Sequence, residues 1–491
     1  MVALVAAASA AAARVHGTRH NDLIQTVNGK RDIVSCNRGH DLATVDGLDR
    51  VARDCEVVTR QISSDPYRTT FGEHATQVEP DAAASGSTIV SAFQVGRFFD
   101  GGAAAIGFST SINAGRTWRS GLLPSLTTSS SPAGSATRAT DPAVAWDAVH
   151  QRWLVESLTL SATSTAVVVN SSVDGLEWEP PVTVISLQRP QRGEEDTNLD
   201  KSWITCDNSP TSPFQGRCYV AYTDFARPGI AAIGVQSTTD GGITWSTASF
   251  EDVSVSVPGV QPVVRPNGQV VLLFLDRPNS LFAVRSNDGG ATFTQRERVA
   301  TVRAQGRRLR SNLLRVFPLP SAGVDGGGSV YVAWSDCRFR AGCTANDIVV
   351  SHSTASGWTR PRRVLVRGLG PTASHLLPGL GVDPTTSGAH ARLGLTFYTL
   401  RTAGCAPARC LLDVRMATSA NAGVTWSAAP RLNMKGMRYA WLADTGSGHM
   451  VGDYFATEFA GGRAVGVFAV AVAPRNGRLN QAIHSAARAV R

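Results

Sequence analysis

A short turn-forming motif recurs along the 491 residues, and its spacing restricts the chain to a repeated, sheet-built architecture. Four copies are clear: Ser111-Ile-Asn113-Ala-Gly115-Arg-Thr117-Trp118, Thr238-Thr-Asp240-Gly-Gly242-Ile-Thr244-Trp245, Ser286-Asn-Asp288-Gly-Gly290-Ala-Thr292-Phe293 and Ser419-Ala-Asn421-Ala-Gly423-Val-Thr425-Trp426. Two are worn: Ser172-Val-Asp174-Gly175-Leu-Glu-Trp178 is one residue short, and Ser353 to Trp358 keeps little beyond Gly357 and Trp358. The closing aromatics at 118, 178, 245, 293, 358 and 426 are 60, 67, 48, 65 and 68 residues apart. In such a turn the glycine takes the left-handed conformation, the Asp or Asn side chain bonds turn amides, and the aromatic fills the gap between neighbouring sheets. A calcium loop is the competing reading of Asn287-Asp288-Gly289-Gly290. No Glu follows at EF-hand spacing, so no metal is expected.

Between these turns the chain reads as strands. Ser87 to Gly96, Arg217 to Asp224, Gln269 to Asp276, Ser329 to Asp336 and Arg392 to Leu400 are rich in aromatic and β-branched residues. Seven segments precede or flank them as candidate first strands, at Glu79-Pro80-Asp81, Asp141-Pro142, Asp200-Lys201-Ser202-Trp203, Gln261-Pro262, Arg315-Val316-Phe317, Leu377-Pro378-Gly379 and Gly452-Asp453-Tyr454. The expected fold is an all-β, seven-bladed propeller over 66–487, with six blades as the alternative. The seventh unit, from His449 to about Ala487, is a strand short, and Glu56 to Ser63 is the candidate that closes the ring. Residues 18–65 otherwise read as a loosely ordered leader. Val2 to Ala13, apolar and rich in small residues, places a signal-peptide-like segment at 1–17.

Eight cysteines support an oxidising compartment. Six form close pairs, Cys206 with Cys218, Cys337 with Cys343 and Cys405 with Cys410, leaving Cys36 and Cys55 for a fourth. Neither C-x2-C knuckles nor paired histidines indicate zinc. The charge of +9 is carried almost wholly by arginine: only Lys30, Lys201 and Lys435 are lysines among 47 basic residues. The arginines are scattered rather than gathered on a stripe, which argues against a nucleic-acid partner. No apolar run is long enough to span a membrane. A secreted monomer without a cofactor is expected.

The octapeptide resembles the Asp box, or BNR repeat, and the chain over 66–487 is similar to the sialidase-like propellers of secreted bacterial proteins. The stretches that carry this are Gln77 to Asp81, Leu199 to Asn208, Ala333 to Cys343, Asn346 to Val349 and Met450 to Ala460. The resemblance implies an exo-glycosidase acting on an acidic sugar, with an arginine clamp, a Tyr nucleophile assisted by a Glu, and an Asp as acid and base. The Arg-Ile-Pro tripeptide that carries the family's first clamp arginine is absent here. Carried onto this chain, the catalytic candidates are Tyr454, Asp141, Asp200 and Glu79.

Strand alternation adds an argument of its own. First-strand starts and the loops between second and third strands share one face, and the octapeptide turns lie on the other. That face gathers Glu79, Asp81, Asp141, Asp200, Lys201, Arg315, Asp453 and Tyr454. Its loops add Arg97, Arg227, Arg277, Arg338, Arg340 and Arg401. The substrate-binding candidates are therefore Arg97, Arg227, Arg277, Arg338, Arg401, Lys201 and Asp453. Two readings stay open: the arginines grip an anionic glycan or other extracellular ligand, or they pair with neighbouring loop aspartates. Likewise Tyr454 is either a nucleophile or a packed channel tyrosine. A glycoside hydrolase and a non-catalytic glycan- or protein-binding propeller are the two functional expectations.

Overall fold

The computed structural model describes residues 2–5, 12–67, 71–188, 199–225, 231–253, 259–276, 279–304, 314–366 and 368–490. Strands dominate, with only short 3-10 turns beside them. Seven antiparallel meanders follow one another, led by the strands Val78–Ser85, Arg138–Asp147, Leu199–Cys206, Gln261–Val264, Ser321–Val324, Ser374–Val382 and Ala456–Ala460. A single pairing, Ala103 with Ala139, links the first two sheets. The leading strands stand side by side in chain order, and Ala456–Ala460 in turn neighbours Val78–Ser85.

The second strands begin and end within a residue or two of expectation, as in Thr88–Arg97, Cys218–Asp224, Val270–Asp276, Val330–Asp336 and Leu393–Leu400. Their unbroken apolarity follows from burial on both faces. In Val270–Asp276, Val271, Leu273 and Leu275 pack toward the fifth sheet with Val332 and Trp334. The alternate residues Val270, Leu272 and Phe274 pack toward the third sheet with Tyr219 and Val235. The core is thus a series of apolar layers between successive sheets, set by a side-chain period of two.

Each clear octapeptide begins as a third strand ends. In the second copy, Asp240 Oδ1 accepts the N–H groups of Ile243 and Thr244, both at 3.0 Å, and Gly242 N–H reaches Thr238 Oγ1 at 3.1 Å. Asn113 and Asn421 accept their threonine amides at 2.9 Å in the same way. The motif's glycine abuts the preceding sheet: a Cβ on Gly290, whose φ is +88°, would meet Tyr219 at 3.1 Å. The turns are therefore staples between sheets.

The last sheet takes its fourth strand from the other end of the chain. Val57–Gln61 pairs antiparallel with Gln481–Ala489, matching Thr59, Arg60 and Gln61 to Ala486, Ser485 and His484. The residues before it, expected to lie loosely, instead coil into two parallel ladders. Val2–Val5, Asp22–Gln25, Leu42–Asp46 and Val57–Gln61 form one; Arg14–His16, Ile33–Ser35 and Arg50–Val51 form the other. Ile24, Val34, Ala43 and Val45 fill the space between them. Carboxylates link the coils: Asp41 accepts the Asp22 amide at 2.7 Å, Glu56 that of Asp41 at 2.9 Å, and Asp49 that of Asp32 at 2.8 Å. A buried amide at the end of a short strand needs such a partner.

All four expected disulfides are present: Cys36–Cys55, Cys206–Cys218, Cys337–Cys343 and Cys405–Cys410, with no free cysteine. Thiol titration of the unfolded, unreduced chain should therefore find no reactive sulfhydryl; a pair of reactive thiols would remove at least one bridge. Among the described residues, no helix is long and apolar enough to cross a membrane.

Candidate functional site

The leading strands share an irregularity that aims side chains at one place. Their pairing slips between Val78 and Asp81, Thr140 and Ala143, Asp200 and Trp203, and Leu376 and Pro378. At each slip one residue has a left-handed backbone: Glu79 at φ +53°, Asp141 at +49°, Lys201 at +48° and Leu377 at +50°. A bulge re-aims the side chain it carries. Left-handed non-glycine residues are uncommon, and ahead of proline, as at Glu79, Asp141 and Leu377, the backbone is restricted further. Such strain persists only where the surrounding structure fixes it.

Three of these residues meet there. The backbone N–H of Lys201 lies 2.8 Å from Asp200 Oδ1 and 3.2 Å from Asp141 Oδ2, so two carboxylates converge on one amide. Glu79 Oε1 accepts the Asp453 amide at 3.2 Å, and its other oxygen accepts the Gln94 side chain. Gln94 also donates to Thr140 Oγ1 at 2.8 Å, and its own oxygen accepts Arg97 Nη1 at 2.8 Å. Arg315 grips Asp453 with Nε, at 2.9 Å from Oδ1, and with Nη2.

A cleft of ≈ 450 Å³ opens above this floor, lined by Glu79, Arg97, Asp100, Arg138, Thr140, Asp141, Asp200 and Arg315 among others. Arg138 lies 4.3 Å from the centre of the Phe98 ring and 2.6 Å from Asp100. Burial pushes the Glu79 carboxyl well above its usual range, and the charges of Asp141 and Asp453 push it further. Asp200 is raised for the same first reason, with Asp141 adding to it. Burial pulls Arg97 down. Burial also acts to lower Arg315, but Asp453 outweighs it and keeps that guanidinium firmly charged. A protonated carboxyl beside an ionised one can both donate and accept a proton.

Beneath the cleft, Lys201 plugs the axis. Its Nζ, buried without a hydrogen-bond partner, stands 3.4 Å from the centre of the Tyr454 ring and 4.3 Å from that of Trp203. The two rings meet edge to face at 4.8 Å. The Tyr454 hydroxyl donates to the Pro142 carbonyl at 3.0 Å, and burial holds it well above the ordinary phenol range. Tyr454 lines a lower chamber of ≈ 230 Å³ with Asp81, Trp203 and Glu458, rather than the cleft.

The expected site residues thus divide. Glu79, Arg97, Asp141 and Asp200 line the cleft; Lys201, Asp453 and Tyr454 pack directly around its floor. Arg338 is held by Asp336, with Nε 3.0 Å from Oδ1, and Arg401 by Asp413, with Nε 2.7 Å from Oδ2. Neither lines the cleft. Arg227 and Arg277 lie outside the described residues. Sequence reasoning did not pick out Gln94, Arg138, Glu156 or Trp203. Gln94 and Glu156 had a signal: each is a polar interruption in an otherwise apolar second strand, fully buried in the structure.

No family model and no curated protein matches this sequence. Solved structures of similar shape include a Hadza microbial sialidase, Hz136, at 13% identity and a TM-score of 0.44, covering 85% of this chain and 66% of that one. A Trypanosoma rangeli sialidase in complex with sialic acid matches at 12% identity and a TM-score of 0.44, covering 73% and 57%. A Dyadobacter fermentans protein of unknown function matches at 15% identity and a TM-score of 0.43, covering 88% and 99%. This chain spans under two thirds of the length of both sialidases. These are likenesses of shape alone.

Proposed function

We propose that this chain is a secreted, seven-bladed propeller of the sialidase-like kind that hydrolyses a terminal acidic sugar at the mouth of its axis. The seven successive meanders, the side-by-side order of their leading strands and the stapling octapeptides support that architecture. The four disulfides support an oxidising, extracellular location.

The observation that carries the chemistry is the single Lys201 amide shared by Asp141 and Asp200. Two carboxylates so close do not both ionise readily, which leaves one holding the proton and the other free to accept one. In this reading Asp200 gives its proton to the leaving oxygen as the glycosidic bond breaks, Asp141 takes a proton from the water that bonds to the sugar carbon, and Arg97, Arg138 and Arg315 attract the sugar's carboxylate. Glu79 reinforces the proton-holding end of the cluster.

A second reading, a glycan-binding propeller without turnover, is favoured by Tyr454. Its hydroxyl is committed to a backbone carbonyl, where a phenolate nucleophile has no support. A panel of fluorogenic glycosides carrying acidic sugars, sialosides included, separates the two. Turnover that saturates with substrate supports the hydrolase; saturable glycan binding with no turnover on any member overturns it in favour of the binder.

A further inference from the structure

We infer a second oxyanion site, away from the axis, in the cleft between the N-terminal coils and the sixth sheet. This cleft, of ≈ 390 Å³, has Arg401, Arg415 and Arg431 on the sheet side and His40 and Leu42 on the other. Two of the three guanidiniums share one carboxylate: Asp413 takes Arg401 through two bonds, at 2.7 and 2.9 Å, and lies 3.6 Å from Arg415 Nη2. Among the described residues, the Arg431 side chain bonds the Met434 carbonyl, at 2.9 Å, and no carboxylate.

Arg415 and Arg431 are direct cross-strand partners. Like charges placed opposite each other destabilise a sheet, so this arrangement costs stability unless an anion joins it. The crowding is felt at Arg415, which burial lowers first and Arg431 and Arg401 lower further.

The opposing acids do not neutralise the cleft. Asp22 and Asp41 border it but are each only 1% exposed: Asp22 accepts the Thr18 hydroxyl, Asp41 Oδ1 accepts the Asp22 amide, and Asp41 Oδ2 is buried without a partner among the described residues. His40, by contrast, is exposed. The charge that faces solvent here is positive. Guanidinium groups set in this way recognise a carboxylate, sulfate or phosphate by paired hydrogen bonds. The ligand is an oxyanion, either free or carried on a sugar, and its binding would brace the coils against the sheet.

Hydrogen exchange with inorganic sulfate as probe tests this site apart from the axis. Sulfate should slow exchange in segments 40–46 and 411–418. Arg415→Gln/Arg431→Gln should raise the sulfate concentration needed by about tenfold or more, as expected for removing charged partners. Arg431→Gln alone serves if the double variant does not fold. A sulfated disaccharide run in parallel tells the sources apart: protection by both indicates a sugar-borne group, and protection by sulfate alone a free ion. Absence of protection in these segments, or protection undiminished in the variants, overturns the site while leaving the axial cleft untouched.

Discussion

Asp141→Asn should lower kcat on an acidic glycoside by roughly 10²–10⁴-fold, the usual contribution of a positioned acid or base. The substitution keeps the side chain's size and its bulged backbone but removes the charge that sets Asp200 apart. Tyr454→Phe is the necessary companion. It removes a hydroxyl whose hydrogen bond ends on the Pro142 carbonyl, and should cost about 1 kcal/mol of stability with kcat changed only a few-fold. The reverse pattern, with Tyr454→Phe inactive and Asp141→Asn active, would return the chemistry to the tyrosine and sink the paired-carboxylate reading. Measuring kcat apart from KM matters, because Asp141 shares its cleft with the arginines proposed to bind substrate.

The second large effect concerns stability and pH. Glu156 is fully buried, and burial holds its carboxyl well above the usual range against the opposing pull of the Ser202 hydroxyl. Asp141 and Asp81 raise it further, and Lys201 opposes them. Asp81, pushed by burial to about 7, adds to the same trend. A carboxyl raised in the folded state contributes stability that is complete below its unfolded value and lost as pH rises through its folded one. For Asp81 that window runs from the ordinary 3.8 to about 7; for Glu156 it begins at 4.5 and extends higher.

The wild-type chain should therefore be more stable near pH 5 than near pH 8. Glu156→Gln should flatten that slope by about 1.4 kcal/mol for each pH unit in which Glu156 stays protonated when folded and ionised when unfolded. Denaturant unfolding at the two pH values measures it. Parallel profiles for wild type and variant would show that Glu156 does not titrate in this way. At the acid limit the sign reverses. Asp288, lowered to about 2 first by the Thr292 hydroxyl, stabilises above its ordinary value of 3.8 and loses that contribution as pH falls through about 2.

What could be read in advance follows from which residues carry local information. Gly290 and Asp288 announce their turn because only a few residue types adopt it. Val270–Asp276 announces a strand because both of its faces are buried. The coils before Val57 were missed although they too repeat: Asp22, Asp32, Asp41 and Asp49 each precede two apolar or β-forming positions. Their spacings of 10, 9 and 8 residues drift, and no aromatic marks them.

The site was legible at the level of a face and not at the level of contacts. Arg97, Arg338 and Arg401 occupy equivalent places after a second strand, yet only Arg97 reaches the axial cleft. Asp336 and Asp413 capture the other two, and nothing local in the sequence separates an arginine beside a carboxylate from one bonded to it. The bulge was written more plainly than it was read. Glu79-Pro80, Asp141-Pro142 and Leu377-Pro378 repeat one dipeptide pattern, whose physical meaning appears only with the backbone angles.

The strand Val57–Gln61 closes a seam between two stretches far apart along the chain. Its partner Gln481–Ala489 leaves the ribosome more than 400 residues later. Contacts so distant in sequence form slowly, because a long loop must close before they contribute. Until then the nascent protein carries two open sheet edges, the kind of surface that pairs with the wrong chain. A cut in the backbone on either side of this seam would leave both edges exposed again, so the vulnerable interval for this molecule is the one before these two strands meet.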